Sequence, residues 1–311
     1  KLKGINGNVS VNYAQGRYAR SNNNFSLNFS NKKITIFSNM SYGNNNSYHD
    51  LNIQRTYKNT DLSTKSIFNQ NTYIQPSSQS YSARLGFDYY VTKKTTVGIM
   101  TKGLLNESKT TKYNVASLLN ADQSLNTTVI ADNKDKNTFK NGSVNFNIRH
   151  EFDSIGKLLT VDLDYVNYLS NIKQIYKNDV FLPDNSNIYN DTQNGHLPSQ
   201  ITIYAFKADY SNPFKREAKL DLGIKTSYTD TDNEAIYTIT QNGITTNNYN
   251  LSNHFKYSEM INAAYLNFSK SYKRLSFQSG LRFESTLLNA TQLGNPQKTG
   301  SSFTRNYNNL F

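Results

Sequence analysis

Apolar and polar residues alternate along most of this chain, with short polar interruptions at nearly even spacing. The clearest alternation covers residues 81–89, where aromatic and aliphatic side chains take every second position and Arg84 and Asp88 fall between them. A period of two places successive side chains on opposite faces of a β-strand. The pattern therefore predicts strands with one apolar face and one polar face.

Five short polar interruptions have the composition of tight hairpin turns. They cover residues 31–33, 92–94, 153–157, 212–216 and 272–274. Long polar segments alternate with them, so the repeat is a hairpin of roughly 60 residues with one tight end and one long end. Outer-membrane barrels have this asymmetry, because their periplasmic turns are short and their extracellular loops are long. The sequence predicts an all-β, antiparallel, up-and-down transmembrane β-barrel.

About twelve strands follow from these turns, each close to the nine to eleven residues that a tilted strand needs to cross a bilayer. One strand is ambiguous, because positions 201, 203 and 205 compete with positions 204, 206 and 208 for the outer face, and a bulge is an open alternative there. The residues predicted to face lipid are Val9, Val11, Tyr13, Phe25, Leu27, Phe29, Ile34, Ile36, Met40, Val97, Ile99, Val144, Phe146, Ile148, Val161, Leu163, Tyr165, Leu220, Leu222, Ile224, Leu275, Phe277, Leu281 and Phe283.

The expected extracellular loops cover residues 43–80, 107–138, 169–200, 230–255 and 287–302. Structureless segments of such length are uncommon in compact domains and are usually functional. Aromatic residues mark both strand ends, as in the two aromatic belts of a membrane barrel. Those near the short turns are Phe29, Tyr89, Tyr90, Phe152, Phe214 and Tyr272, and those near the loops are Tyr13, Tyr42, Tyr81, Tyr168, Tyr228 and Tyr257.

The composition agrees with a barrel better than with a soluble domain or a disordered chain. Hydrophobic residues make up 36% of the 311 residues, below the share of about 45–50% in soluble domains. The 23 Tyr and 17 Phe argue against disorder, since disordered chains are poor in aromatics. The chain has no Cys, which excludes disulfides and thiolate metal sites. No apolar run is long enough to predict a membrane-spanning helix.

The net charge of +12 would be compatible with nucleic-acid binding. The basic residues are scattered, however, and do not cluster on one predicted face, so we expect no nucleic-acid partner. Several basic residues form pairs in the short turns. Contact with anionic periplasmic headgroups and simple solvation that blocks edge-to-edge pairing are both open explanations for these pairs. The pairs are Lys32-Lys33, Lys93-Lys94, Lys215-Arg216 and Lys273-Arg274.

No constellation of residues predicts an enzyme, a cofactor or a metal centre. The histidines His49, His150, His196 and His254 lack metal-ligand spacing to one another. Asp162 and Asp164 share one strand face, where we expect them to line the lumen and meet basic groups rather than act as a general acid and base. The acidic run of Asp230, Asp232 and Glu234 could bind a hard cation, but a solvated loop is the favoured interpretation because the spacing of a calcium loop is missing.

Short patterns in chain order resemble the barrel strands of TonB-dependent-receptor-like outer-membrane proteins. They include the pattern NVSVNYAQGRY at residues 8–18, HEFDSIGK at 150–157, ADYSNPF at 208–214 and GLRFE at 280–284. Further matching patterns lie at 27–29, 37–42, 162–165, 222–227, 262–265 and 305–311. The resemblance implies a barrel of about 22 strands with an N-terminal plug. It also implies a TonB-type partner that acts through the plug, and a bacterial outer-membrane location.

Residues 1–311 are therefore interpreted as one incomplete barrel domain, with the plug, the signal peptide and the remaining strands outside this sequence. An alternative treats Phe311 as the terminal aromatic of a complete barrel. It would place Phe303, Arg305, Tyr307 and Asn309 toward lipid, where an Arg costs up to about 2–4 kcal/mol. The favoured function is binding and import of a nutrient ligand at loops and lumen. A non-transporting adhesion or structural barrel, and a soluble extracellular β-protein, are the alternatives.

Overall fold

A computed structural model describes residues 4–214 and 218–311, and it forms one antiparallel sheet of 14 strands. The strands are β1 (Gly4–Gln15), β2 (Ala19–Ser30), β3 (Ile34–Asn46), β4 (His49–Lys58), β5 (Thr64–Tyr90), β6 (Thr95–Asn120), β7 (Leu125–Glu151), β8 (Leu158–Phe181), β9 (Asn187–Phe214), β10 (Ala218–Gln241), β11 (Ile244–Asn247), β12 (Asn253–Tyr272), β13 (Leu275–Leu293) and β14 (Ser301–Leu310). These described residues include no helix long and apolar enough to cross a membrane.

The pairing order follows the chain, which is the up-and-down topology predicted from the turns. Twelve strands pair successively from β1 to β14, while β4 pairs only with β5 and β11 only with β10. Within the described residues, β1 and β14 form the two edges and do not pair with each other, so the sheet is open. The prediction of about twelve transmembrane strands is confirmed.

Four of the five short turns lie where they were predicted, and in three of them the first residue, Asn31, Thr92 or Asp153, accepts backbone N–H hydrogen bonds with its side chain. Asn31 Oδ1 accepts hydrogen bonds from the backbone N–H of Lys33 at 2.7 Å and of Ile34 at 2.8 Å. Asp153 Oδ1 accepts three backbone N–H groups, all within 3.1 Å. Short polar side chains favour this arrangement because they can hydrogen-bond to the backbone two residues on. The pair Lys215-Arg216 lies outside the described residues.

The segments predicted as extracellular loops are mostly strands, which corrects the sequence interpretation. Strands β5 to β10 are each 24 to 28 residues long, which corresponds to about 80–90 Å of extended chain. In the segment 107–138, for example, only residues 121–124 form a turn between β6 and β7. Above the membrane both sheet faces meet water, so the alternation of apolar and polar residues is lost while backbone pairing continues.

Three of the distant hairpin tips share one design that the sequence analysis missed. Each contains Asp-x-Ser: Asp61 with Ser63, Asp122 with Ser124, and Asp184 with Ser186. In each tip the Asp Oδ1 accepts the Ser backbone N–H and the Ser hydroxyl, at 2.5 to 3.0 Å. The residue between them has a positive φ of 65° to 67°. Hydrogen bonds from the Ser hydroxyl and then the Ser backbone lower the pKa of all three carboxyl groups.

The exposure of the two sheet faces is the opposite of that in a soluble protein: large apolar side chains are exposed, and the buried residues lie on the polar face. Cross-strand pairing brings Phe146, Leu163 and Phe206 side by side, and Leu163 is 47% exposed. The buried residues lie on the other, polar face and are mostly small; apart from glycines they are Thr72, Ala116, Ala131, Ala263, Thr286, Leu288 and Ala290. An uncovered band of large apolar side chains is the lipid-facing surface of a membrane barrel. The predicted lipid-facing positions all share this apolar face.

The strand that was ambiguous in the sequence is resolved by its partners. Tyr204 and Phe206 pair with Tyr165 and Leu163, which puts the even positions of β9 on the apolar face. Ile203 pairs with Val166 on the polar face, and the register does not shift between residues 201 and 211. The bulge considered for this strand is therefore absent, because regular pairing with β8 and β10 continues through it.

Three of the predicted belt aromatics and the last strand need correction. Tyr90, Tyr168 and Tyr257 fall on the polar face, because each is one residue out of phase with the apolar positions of its strand. In β14, the residues Phe303, Arg305, Tyr307 and Asn309 pair with polar-face residues of β13. They therefore do not face lipid, and the energetic argument that used them to favour an incomplete barrel is wrong. The incompleteness of the domain stays a prediction.

We expect that Leu163→Arg in the full-length protein destabilises the barrel by about 2–4 kcal/mol, because it places a charge on the lipid face at mid-membrane. The matched control is Val166→Arg on the same strand, which points to the polar face and should change the free energy of unfolding far less. Urea-induced unfolding in phospholipid vesicles measures both variants. Equal destabilisation by the two substitutions would show that the faces are assigned wrongly.

We expect the hairpin tips to loosen in acid. A folded-state pKa below the ordinary Asp value means that the turn's stabilisation is present above the unfolded pKa of about 3.9 and is lost as pH falls through the folded value. The protection of the Ser124 amide against hydrogen exchange should therefore fall between pH 5 and pH 2. Asp122→Asn keeps the acceptor oxygen but removes the titration, so protection in that variant should not depend on pH. A pH dependence that persists in Asp122→Asn would contradict this explanation.

Candidate functional site

At membrane depth, the polar face carries the carboxylates that the sequence analysis assigned to the lumen. Asn145 Nδ2 donates to Asp164 Oδ1 at 2.7 Å and to Asp162 Oδ1 at 3.4 Å. Asp162 lies directly opposite Lys207 in the pairing of β8 with β9, and Lys207 Nζ lies 2.6 Å from Asp209 Oδ2. The expected arrangement, with acidic residues facing the lumen beside basic ones, is therefore present.

Two glycines on this face make room for aromatic rings from the neighbouring strand. A Cβ at Gly223 would lie 2.3 Å from the Tyr265 ring, and one at Gly86 would lie 2.0 Å from the Phe37 ring. The Tyr265 hydroxyl also donates to Asp209, and the Arg282 guanidinium lies 5.6 Å from the centre of the same ring. Flat rings lying over glycine give this surface fixed side-chain positions, because no other residue fits beneath them.

Above the membrane, the same face carries a group of residues that we call the upper lumenal cluster: Lys112, Asp135, Gln174, Tyr176 and Tyr237. Lys112 Nζ lies 2.9 Å from Asp135 Oδ2, and the Tyr176 hydroxyl donates to Asp135 Oδ1 at 2.9 Å. The Tyr237 hydroxyl donates to Gln174 Oε1 at 3.0 Å. Burial and the hydrogen bond to Asp135 raise the pKa of Tyr176 to about 12.

A second group continues the upper lumenal cluster toward the tips. Asp191 accepts hydrogen bonds from Asn178 Nδ2 and from the Tyr189 hydroxyl, both at 2.8 Å. Gln241 Nε2 donates to the Tyr189 hydroxyl at 2.9 Å. Phenol rings and amide groups that are held by neighbours present apolar surface and hydrogen-bonding groups together. Such a surface is suited to a polar small molecule, since a few placed polar groups on an otherwise apolar lining fix a ligand's orientation.

The acidic run Asp230, Asp232 and Glu234 lies on strand β10 rather than in a loop. Asp232 Oδ1 contacts His254 Nε2 at 2.6 Å, and Asp232 Oδ2 lies 3.3 Å from Lys256 Nζ. Glu234 lies 3.8 Å from the other nitrogen of His254. No group of three or more His, Cys, Asp or Glu side chains suited to a metal ion occurs among the described residues. The run therefore lies on the outer side of the sheet, where Asp232 is ion-paired with Lys256.

The other three histidines lie far apart on different strands. His150 Nδ1 is 2.8 Å from the Thr95 hydroxyl, and its ring packs edge-on against Phe152 with 4.5 Å between ring centres. His49 and His196 are exposed on β4 and β9.

An aromatic cluster near the first outer turn was also missed by sequence reasoning. The Arg17 guanidinium lies 4.7 Å from the Tyr48 ring centre and 5.1 Å from that of Tyr73, while the hydroxyls of Tyr18 and Tyr73 are 2.7 Å apart. Its members come from three separate segments, so no local pattern links them. The upper lumenal cluster was missed because its residues were assigned to loops; the only available signal was the recurrence of Tyr in those segments.

We expect Tyr176→Phe to lower the free energy of unfolding by about 1 kcal/mol at pH 8, because it removes a hydrogen bond to Asp135. The folded-state pKa of Tyr176 lies above its unfolded value of about 10, so the stabilisation is complete below pH 10 and is lost as pH rises through about 12. The difference between the native protein and the variant should therefore shrink from pH 10 to pH 12 in chemical unfolding. Tyr113→Phe, an exposed ring on the other face, is the control. A difference that stays constant over this range would contradict the assignment.

Comparison with known proteins agrees with the architecture. Residues 150–311, just over half of the chain, match the model of the outer membrane protein beta-barrel family. No curated protein matches the chain. The matched segment begins at the end of β7 and includes seven strands, while the strands before it continue the same sheet with the same alternation of faces. The chain therefore belongs to the outer membrane protein β-barrel family, whose place is the bacterial outer membrane.

Proposed function

We propose that this chain is the barrel part of a TonB-dependent-receptor-like protein that binds a nutrient and imports it across the outer membrane. The upper lumenal cluster is the single observation that carries the proposal. It places a carboxylate, an ammonium group, amides and phenols on the lumenal side of strands that rise far beyond the lipid-facing band. A ligand arriving from outside would meet these groups before it reached the membrane.

The polar face at membrane depth supports a path for such a ligand. Asn145, Asp164, Lys207 and Arg282 provide hydrogen-bonding and charged groups along the same face of the sheet. A barrel interior that is lined in this way binds polar molecules more readily than apolar ones. In the proposed function, a plug and a TonB-type energy-transducing protein supply the gate and the energy.

Adhesion is the second candidate, and the shared Asp-x-Ser design of three hairpin tips favours it. Tips that repeat one structure at the ends of long protruding hairpins could contact a surface without any transport. The two candidates need different residues. Import needs ligand-binding residues on the lumenal face, and adhesion needs surface-contacting residues at the tips. The candidates differ also in whether inner-membrane energy is needed.

The test uses cells that express the full-length protein and radiolabelled candidate ligands: a ferric siderophore, a glycan, a peptide and a metal chelate. We expect uptake of one class that disappears when the TonB-type transducer is deleted. The double variant D135N/Y176F should reduce that uptake about tenfold or more, because it alters two hydrogen-bonding groups that would contact the ligand. Lys177→Gln, next to Tyr176 on the opposite face, should have little effect at equal surface expression.

Uptake of none of the four classes, or uptake that is independent of the transducer, would count against import. Loss of surface attachment in the variant Asp61→Ala/Asp122→Ala/Asp184→Ala, with no uptake of any ligand, would support adhesion instead.

A further inference from the structure

Three lysines stand side by side on the outer face of the sheet, above the lipid-facing band. Lys136 of β7 pairs directly with Lys109 of β6 on one side and with Lys173 of β8 on the other. All three side chains are exposed. Like charges directly opposite each other destabilise a sheet, so this row is unfavourable unless an anion lies against it.

Two nearby lysines on the same face have acidic partners, whereas none of the three lysines of the row forms an ion pair with a described residue. Lys134 lies 3.2 Å from Asp132, and Lys256 lies 3.3 Å from Asp232. Within residues 4–214 and 218–311, no acidic side chain pairs with Lys136 or Lys173. The positive charge at this place is therefore available to a partner from outside the sheet.

The row borders a cleft of about 600 Å³ that is also lined by Lys140, Leu169 and Pro198. On the cleft's other side Asp232 forms an ion pair with Lys256 at 3.3 Å, and nitrogens of His254 lie 2.6 Å from Asp232 and 3.8 Å from Glu234. The three lysines of the lining outnumber its two carboxylates, of which Asp232 is paired with a lysine outside the lining, and Leu169 and Pro198 add apolar surface. This combination fits a molecule that has both negatively charged groups and apolar groups.

The height of the cleft corresponds to the outer edge of the membrane. On β8, the segment from Leu159 to Leu169 spans about 33 Å of strand, which at a tilt of about 40° gives the height of about 25 Å typical of the lipid-facing band. Lys140 pairs with Leu169 at the upper end of this segment. Lys136 and Lys173 lie four residues further out on the same face, at the level of the lipid headgroups.

We propose that this cleft binds the phosphate-bearing headgroup of a lipid in the outer leaflet of the membrane. Lys136, Lys140 and Lys173 would contact the phosphates, since ammonium groups bind phosphate through charge-assisted hydrogen bonds. Leu169 would lie beside the start of the acyl chains. Most residues that line the cleft lie on the outer face by register, which distinguishes this ligand from any molecule that passes through the barrel. The proposal does not depend on whether the protein imports a nutrient.

The experiment measures binding of fluorescent diphosphoryl lipid A to the full-length protein in non-ionic detergent. We expect K136Q/K173Q to weaken binding about thirtyfold, because each lysine near an anionic surface contributes about fivefold. The matched control K102Q/K225Q removes two exposed lysines from the polar face and should change binding less than about twofold. K136R/K173R should retain binding, since the positive charge remains.

Two further measurements identify the source of the anion. Fully dephosphorylated lipid A should bind the native protein as weakly as diphosphoryl lipid A binds K136Q/K173Q. Inorganic pyrophosphate should not displace the lipid at concentrations comparable to it, because it lacks the acyl chains. Displacement by pyrophosphate would overturn the proposal in favour of a soluble-anion site, and equal binding with and without phosphates would overturn any role for phosphate.

The stability of the variant separates binding from folding. Without anionic lipid, K136Q/K173Q should unfold at the same temperature as the native protein or a higher one, because two like charges have been removed from adjacent strands. Unchanged lipid binding in this correctly folded variant would overturn the proposal. A variant that unfolded at a lower temperature would show that the lysine row stabilises the sheet without a lipid, and this too would overturn it.

Discussion

The structure depends on one constraint, which is that backbone N–H and C=O groups in a membrane need partners within the protein. Twelve described strands pair with their neighbours in chain order, and the ten between β1 and β14 satisfy it on both sides. In β5 to β10 the backbone pairing continues beyond the membrane, where both faces of the sheet meet water. Pairing with the neighbouring strands is what keeps these segments extended. Because these strands stay in register, side chains two residues apart keep the same face from the short turns to the tips.

This continuity turns a simple alternation into two surfaces with separate roles. Below the tips, one face of β8 carries Leu163 toward lipid while the other carries Asp162 and Asp164 toward the lumen. Farther out, the lumenal face presents Tyr176 with Asp135, and the outer face presents Lys173. A ligand on the lumenal side and a lipid on the outer side would therefore contact the same strand without competing.

Much of the fold could be predicted because its signals are local. The short turn at Asn31 is recognisable from a polar residue followed by two lysines, and the face of Leu163 from its neighbours at every second position. Tyr168 and Tyr257 were placed on the wrong face because they were assigned by proximity to strand ends and not by phase. In β14 the facing partner was not known, so the complete-barrel alternative was judged with Arg305 toward lipid, whereas Arg305 pairs with Leu288 on the polar face.

The candidate sites were less predictable, because most of them combine residues from different strands. Asp162 and Asp164 were assigned correctly to the lumen, since they alternate with apolar residues on one strand. The partners Lys112, Asp135 and Tyr176 come from three strands, and no pattern within a short segment connects them. The acidic run that includes Asp232 was interpreted as a solvated loop because it lacks the spacing of a calcium loop. Its contacts with His254 and Lys256 were not foreseen, since these residues are more than 20 positions further along the chain.

The sequence by itself determined the class of fold, the positions of the short turns, the membrane-facing side of most strands and the number of strands that cross. These properties depend on the order of apolar, polar and turn-forming residues within about ten positions, and a single chain records that order directly. Only the tertiary structure decided the register of the strand at 201–211, the continuation of the predicted loops as strands, and the juxtaposition of Lys109, Lys136 and Lys173. Those properties depend on which residue of one strand faces which residue of the next, and backbone pairing between distant segments decides that without leaving a local pattern.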